Sequence, residues 1–201
     1  MNEPSAEVVV SSVHSEEQLR RVYGFAATVL GLADETKHTL AYYQAQLGVA
    51  PGLLVFAGTA TGTVCGSMLS SIEGDHVLVG PVAVDPARRR QGIGRAMMQR
   101  LEEQARQLGQ RTLILGSRRE AEAFYLSCGF QPNLFVQLAE PDALPRLRGL
   151  RRSYEVAWSA AQGGYAKLML RTPTVDRSLE DEYRRQFPAC ATQYVFIKHL
   201  A

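Results

Sequence analysis

The sequence predicts a mixed α/β fold, a mixed sheet with helices on both faces. Patterns of 3.6-residue period alternate with short apolar runs along the chain. Three of those runs follow one another with only tight turns between them, and a glycine-rich loop then leads into a long amphipathic helix. This alternation is typical of helices packed against a sheet.

Composition limits the classes of protein that the chain can belong to. Its 201 residues suffice for one sizeable domain, with or without a small appendage, and 46% apolar residues are ordinary for a soluble protein. The net charge of +2 is too small to indicate nucleic acid or a membrane surface. No apolar run approaches the roughly 20 residues of a membrane span, and no signal peptide is visible. The three cysteines fit no zinc motif, so we expect no metal. So few cysteines, odd in number, suit a reducing compartment better than a disulfide scaffold, and we therefore expect a cytoplasmic protein.

The first half of the chain is predicted to form a strand, two helices and a three-stranded meander. Residues 7–11 are the first strand, and Ser15 caps a helix that Gly31 ends. A second helix is expected from about Asp34 to Leu47. The three strands of the meander are 53–59, Val64–Glu73 and His76–Val84, with turns at Thr61-Gly62 and Gly74-Asp75.

The next segment continues the alternation. A helix is expected over 92–108, a strand over 111–116, a helix over 119–128 and a strand over 130–138. The predicted domain therefore spans residues 1–140, with the element order β-α-α-β-β-β-α-β-α-β.

Residues 141–201 are predicted to form a small ββαβ extension. Its strands are 154–159, 165–171 and 192–200, and a helix follows Ser178. About 50 residues make a poor independent core. The last strand is moreover apolar on both faces, so we expect the extension to pack on the main domain or on a partner subunit, which leaves a homodimer open.

The loop over 85–95 is the most informative motif. An Asp-Pro turn, three arginines and two glycines, Gly92 and Gly94, lead directly into the long helix. Glycines before a helix free backbone N–H groups to point at one anion, and the helix N-terminus adds positive potential. A dinucleotide fingerprint would need glycine at Met97, and a P-loop would need Gly-Lys-Ser/Thr. A turn with a solvated basic face remains the alternative to a pyrophosphate site.

The spacing of Arg89, Gly92 and Gly94 resembles the Arg/Gln-x-x-Gly-x-Gly/Ala loop of the GCN5-related N-acetyltransferases (GNAT). The resemblance covers residues 52–138 and implies the GNAT acyl-CoA N-acyltransferase fold, with acetyl-CoA as cosubstrate. It implies that the phosphates are bound by Arg89, Arg90, Gln91, Gly92, Ile93, Gly94 and Arg95.

Gly80-Pro81 interrupts the strand that precedes this loop. Proline cannot donate in a continuous ladder, so the pair marks a bulge or an unpaired edge. The family bulges its fourth strand here and opens a cleft towards the fifth. The resemblance implies that the pantetheine arm bonds the backbone of Val82, Ala83 and Val84, and that a backbone N–H at the bulge polarises the thioester carbonyl.

Tyr125 is the candidate general acid. The segment 121–130 resembles the family's Ala-x-x-Phe-Tyr-x-x-x-Gly-Phe, whose tyrosine approaches the coenzyme sulfur and can protonate the thiolate. Half-buried packing is the alternative for Tyr125. Arg118 stands where the family often has asparagine, and its guanidinium could pair with a coenzyme phosphate.

The general base is the gap in the pattern. An alkylamine with a pKa near 10 must lose a proton before it attacks. Many family members carry a carboxylate on the fourth strand near the bulge, where this chain has Gly80-Pro81. Glu73, Asp75 and His76 lie at the far end of the strand and Glu120 and Glu122 flank the last helix of the domain, and each is expected on a solvated turn or helix face. Glu73, acting through water, is the favoured candidate among them.

The resemblance that these residues carry implies an N-acetyltransferase that moves acetyl directly from acetyl-CoA to a primary amine of a small molecule or peptide. A non-catalytic acyl-CoA-binding regulatory module is the alternative, and the missing carboxylate favours it. A nucleic-acid partner would rest only on the arginines of 146–152, which have no aromatic residues among them and are expected to form a solvated linker. Cys128 is expected to pack rather than react.

Overall fold

The computed structural model describes residues 7–32 and 37–201, and it confirms the mixed α/β class. The strands are β1 (Val8–Ser12), β2 (Leu54–Thr59), β3 (Val64–Glu73), β4 (His76–Val84), β5 (Thr112–Gly116), β6 (Gln131–Leu138), β7 (Glu155–Gln162), β8 (Tyr165–Arg171) and β9 (Ala191–His199). The helices are α1 (Glu16–Leu30), α2 (Leu40–Val49), α3 (Ile93–Gln107), α4 (Glu122–Ser127), α5 (Leu144–Gly149) and α6 (Arg177–Gln186).

The chain divides into two compact units. The first runs to Leu113 and takes in His199–Ala201, and the second is Ile114–Lys198. The boundary expected at residue 140 falls inside the second unit, because β6 on one side of it pairs with β8 and β9 on the other.

The first unit contains the predicted meander. β1, β2, β3 and β4 pair in this order, each antiparallel to the next. α1 and α2 cover one face with a cluster of buried side chains that includes Leu19, Val22, Ala26, Tyr43, Leu54 and Leu69. α3 packs against the same four strands, with Met97 against Gly66. Ile93, Met97, Leu101 and Ala105 of α3 are buried, whereas Leu108 lies beyond the end of the helix and is exposed.

Local capping sets the ends of the first two helices. Ser15 accepts a hydrogen bond from the Gln18 N–H, and Gly31 adopts the left-handed conformation that ends α1, as predicted. The expected start of the second helix, 34–36, lies outside the described residues. Within them α2 begins later than expected, at Leu40, because Thr39 caps it by accepting from the Tyr42 N–H.

The second unit has the strand order β5-β9-β6-β8-β7. The C-terminal strand β9 therefore lies inside a sheet of its own chain and pairs antiparallel with β6. Tyr194 and Phe196 on this strand are fully buried. These two residues share one face of the strand, and Val195 and Ile197 on the other face are partly buried, so β9 is covered fully on one face and in part on the other.

The basic run is folded structure, not the solvated linker that the sequence suggested. Its first half forms α5, and Arg146 pairs with Glu140 and lies over the Phe187 ring. Arg152 bridges Asp176 and Glu182. The arginines thus make their contacts within the second unit. Their partners are distant in the sequence, and no linear motif identifies them.

Candidate active site

The loop between β4 and α3 is built from tight local turns. Asp85 accepts a hydrogen bond from the Ala87 N–H and starts a helical turn over Pro86–Arg88. Arg90 then adopts a positive φ of 66°, which is uncommon for a residue with a side chain, and Gly92 follows at 83°. Strained backbone of this kind clusters at ligand-binding sites.

Gly92 also leaves the start of α3 open. No heavy atom lies within 4 Å of the position that a Cβ on Gly92 would take, and no side chain caps the helix. The first intrahelical bond is from the Ala96 N–H to the Gly92 carbonyl, so the N–H groups of Ile93, Gly94 and Arg95 lie in the uncapped first turn. Arg89, Arg90 and Gln91 are exposed around it. An open, basic helix N-terminus fits a pyrophosphate.

The bulge expected in β4 is confirmed. Met68 of β3 faces Val82 and Ser70 faces Val79, so Gly80 and Pro81 together stand opposite Leu69 alone. Beyond the bulge the register resumes through Ala83 and Val84, the backbone that the resemblance assigns to pantetheine. The bulge thus lies directly before the segment that leads into the loop.

Gly80 is fixed by close contacts. A Cβ there would collide with the Leu69 carbonyl oxygen and would lie 2.6 Å from Tyr43 Oη. The Tyr43 hydroxyl therefore stands where a side chain of residue 80 would begin. It is 2.8 Å from Nδ1 of His38, whose ring lies nearly parallel to that of Tyr43 at 11°. Sequence reasoning missed this pair because neither residue belongs to a motif.

Glu73 lies at the other end of the same strand pair. It is exposed at the β3–β4 turn and faces His76 in the register. Glu73 lies four positions along β3 from Leu69, which is about 13 Å of extended strand. Any proton that passes between the bulge and Glu73 must cross this distance.

In the second unit, Tyr125 lies on α4 in an aromatic cluster. Its ring packs against Phe124, Phe130 and Phe196, and only 7% of its surface is exposed. Burial, with a smaller contribution from Cys128, raises the pKa of Tyr125 to about 12. The hydroxyl is therefore protonated at neutral pH and can donate.

The residues around α4 only partly follow expectation. Arg118 is exposed and directly precedes the helical turn Arg119–Ala121. Glu122 was expected on a solvated face, but it is buried and pairs with Arg177 of α6. Arg177 also binds the buried Glu180, so this ion-pair network holds α4 and α6 together within the unit.

Within 7–32 and 37–201, no helix has the length and apolar character that a membrane span requires. In the same part of the chain no three histidine, cysteine or acidic side chains are grouped so that they could hold a metal ion.

Solved structures with a similar fold include acetyltransferases. A GNAT-family acetyltransferase from Staphylococcus aureus Mu50 matches with a TM-score of 0.57 at 11% identity, over 97% of this chain and all of its own. N-acetylglutamate synthase from Neisseria gonorrhoeae, complexed with coenzyme A and N-acetyl-glutamate, matches with 0.53 at 16% identity, over 98% of this chain and 36% of its own. The ribosomal-protein-S18-alanine N-acetyltransferase from Escherichia coli matches with 0.51 at 20% identity, over 85% and 96%.

At these identities the likeness to solved structures shows the fold alone. No curated protein matches the chain in sequence. The sequence model of the acetyltransferase (GNAT) family, however, matches residues 15–130, which is more than half of the chain. The protein therefore belongs to the GNAT acetyltransferase family.

Proposed function

We propose that the protein transfers the acetyl group of acetyl-CoA directly to a primary amine. The observation that carries the proposal is the loop of the first unit, where positive φ at Arg90 and Gly92 opens an uncapped helix N-terminus among exposed arginines. This arrangement suits the pyrophosphate of coenzyme A. We place the reaction in the cytoplasm, in keeping with three cysteines of which none forms a disulfide.

The candidate coenzyme-binding residues and Tyr125 each have a defined task in this proposal. The N–H groups of the first turn of α3 bind phosphate, with Arg89, Arg90 and Arg95 adding charge and Arg118 a further phosphate contact. The backbone of Val82–Val84 holds the pantetheine arm, and an N–H at the bulge stabilises charge on the acetyl oxygen. Tyr125 donates its hydroxyl hydrogen to the departing sulfur.

One observation favours a second candidate, a non-catalytic acyl-CoA-binding module. The β4 bulge carries Gly80 and Pro81, so no carboxylate of that strand stands there to take a proton from an amine. In such a module the coenzyme would bind and no acetyl would be transferred.

The test is thiol release from acetyl-CoA in the presence of four acceptors. Glutamate and a peptide with an N-terminal alanine are chosen because N-acetyl-glutamate and alanine appear in the names of two structural neighbours. Spermidine and kanamycin extend the set to polyamines and antibiotics. The proposal predicts acceptor-dependent thiol release together with an acetylated product in mass spectrometry. Saturable binding of coenzyme A without acetylation of any acceptor would favour the non-catalytic module.

A further inference from the structure

We propose that His38 is the base that removes the proton from the acceptor amine, and that Tyr43 is the positioning residue that orients it. The inference rests on the proposed function, since it supplies the one group that the transfer needs and the strands do not provide. It assigns a catalytic task to the segment before α2, which carries no motif.

Tyr43 connects α2 with the bulge of β4. This side chain is almost fully buried, yet its hydroxyl reaches the backbone of the β4 bulge. Glycine at position 80 is what makes the approach possible, because any larger residue would occupy the same space as Tyr43 Oη. The hydroxyl thus occupies the position of a strand side chain at the bulge, where the hydrogen-bond ladder between β3 and β4 is interrupted. Bulges are enriched beside active sites because they redirect groups in this way.

His38 lies within hydrogen-bonding distance of Tyr43. Its Nδ1 lies 2.8 Å from Tyr43 Oη, and the imidazole is only partly buried. When Nδ1 carries the hydrogen and donates it to Tyr43 Oη, the lone pair of Nε2 is free to accept a proton. A hydrogen bond at one ring nitrogen commonly sets the role of the other in this manner.

The proton balance of the reaction is then complete. The acceptor enters as an ammonium ion and gives one proton to Nε2 of His38. Its nitrogen forms the new C–N bond with the acetyl carbon as the C–S bond breaks with its electron pair. The departing sulfur gains its proton from Tyr125, and the second nitrogen-bound proton, which leaves as the amide forms, passes through water to restore the Tyr125 hydroxyl, so the products are the acetylamide and the free thiol. His38 releases its proton to water and is restored.

Few other ionisable groups surround the pair in the described part of the chain. Tyr42 of α2 meets the Tyr43 ring edge-on at 5.1 Å between centroids, and Tyr23 of α1 lies 6.3 Å from it. Lys37 precedes His38 in the chain, and β4 presents Gly80 and Pro81, which do not titrate.

The test compares His38→Asn and Tyr43→Phe with His14→Asn, which removes an exposed histidine before α1. Acetyl-CoA and the four acceptors above serve as probes between pH 6 and 10, and circular dichroism checks each fold. We expect His38→Asn to lower kcat about 100-fold or more and to remove the histidine-range limb of the pH profile. Tyr43→Phe should lower kcat less and displace that limb, whereas His14→Asn should match the wild type. Coenzyme A affinity, measured by calorimetry, should be the same in all four proteins.

A second readout does not depend on turnover. In protein labelled with nitrogen-15 in histidine and saturated with coenzyme A, the spectrum should show a hydrogen on Nδ1 of His38, and Tyr43→Phe should shift the titration midpoint of this ring alone. An unshifted midpoint would overturn the positioning role of Tyr43.

The base assignment and the proposed function fail in different ways. If His38→Asn acetylates at the wild-type rate, or if Glu73→Gln loses the pH-dependent limb instead, the base is not His38, although acetyl transfer stands. If the wild type binds coenzyme A and acetylates none of the acceptors, acetyl transfer and the role of His38 as base are both overturned, and the non-catalytic module stands. If the wild type does not bind coenzyme A at all, the proposed function is overturned.

Discussion

Tyr125 keeps its hydroxyl proton throughout the neutral range, and burial extends that range by raising its pKa to about 12. Removing the hydroxyl while keeping the ring leaves the aromatic cluster with Phe130 and Phe196 intact. We predict that Tyr125→Phe lowers kcat by roughly 10²–10⁴ with unchanged affinity for coenzyme A. Steady-state kinetics and calorimetric titration measure the two quantities. A variant that turns over at the wild-type rate would assign the protonation of the thiolate to another group or to water.

Gly80 is required by contact and not by backbone conformation. A methyl group there would press on the Leu69 carbonyl and on Tyr43 Oη. We predict that Gly80→Ala destabilises the protein by about 1–3 kcal/mol, measured by urea unfolding. Gly24→Ala is the matched control, because nothing lies within 4 Å of the new Cβ on α1. Removing glycine from an exposed helix should stabilise the protein by up to about 1 kcal/mol. Equal effects of the two substitutions on the free energy of unfolding would mean that β4 can shift at the bulge at no energetic cost.

At the scale of single elements, Asp176 ties the start of α6 to its surroundings. Burial alone would raise its pKa, but hydrogen bonds from Ser178, Tyr154 and the Leu179 N–H, together with the Arg152 charge, lower the pKa to about 2 from an ordinary value of 3.8. A carboxyl with a depressed pKa in the folded state contributes its stability above pH 3.8. That contribution is lost as the pH falls towards 2.

This linkage predicts a stability difference that depends on pH. At pH 7 the free energy of unfolding of Asp176→Asn should be about 2 kcal/mol lower than that of the wild type. Asparagine can still cap the helix. The difference should shrink between pH 4 and pH 2, as urea unfolding at each pH measures. A difference that is the same at pH 2.5 and at pH 7 would show that the charge of Asp176 is not what stabilises α6.

The elements that sequence reasoning located are those fixed by neighbouring residues. Ser15 and Gly31 bound α1 through contacts only three or four residues long, and Gly92 starts α3 in the same local way. The run 146–152 was misjudged because its order comes from distant partners, such as the pairing of Arg152 with Glu182. The bulge could be predicted from Pro81, but nothing in the order of residues tells that Tyr43 reaches it.

At the scale of the whole molecule, the place of the C-terminal strand is the feature that local patterns leave undetermined. The alternation along β9 predicts a strand covered on both faces, but it does not specify the neighbours. The structure inserts β9 between β5 and β6, which are separated in the chain by α4. Pairing of this kind depends on contacts between residues far apart in sequence, which a local pattern does not encode.

The inserted strand predicts the outcome of a truncation. Deleting residues 190–201 removes the strand that pairs with β6 and exposes its ladder. We predict that the truncated chain aggregates or loses its cooperative unfolding transition, as light scattering and thermal unfolding would record. Trp158→Ser, an exposed site on the outermost strand β7, should keep the fold. A truncated chain that stays soluble, monomeric and fully active would show that β9 is dispensable.

The central claim, that the loop before α3 binds coenzyme A, is tested most directly by calorimetric titration with coenzyme A. Gly94→Val is the informative variant, because Gly92 has a positive φ that valine would strain, whereas Gly94 lies within α3. Gly24→Ala on α1 is the control. We predict saturable binding to the wild type and to the control, and no measurable binding to a folded Gly94→Val. Equal affinity in all three proteins would contradict the assignment of this loop.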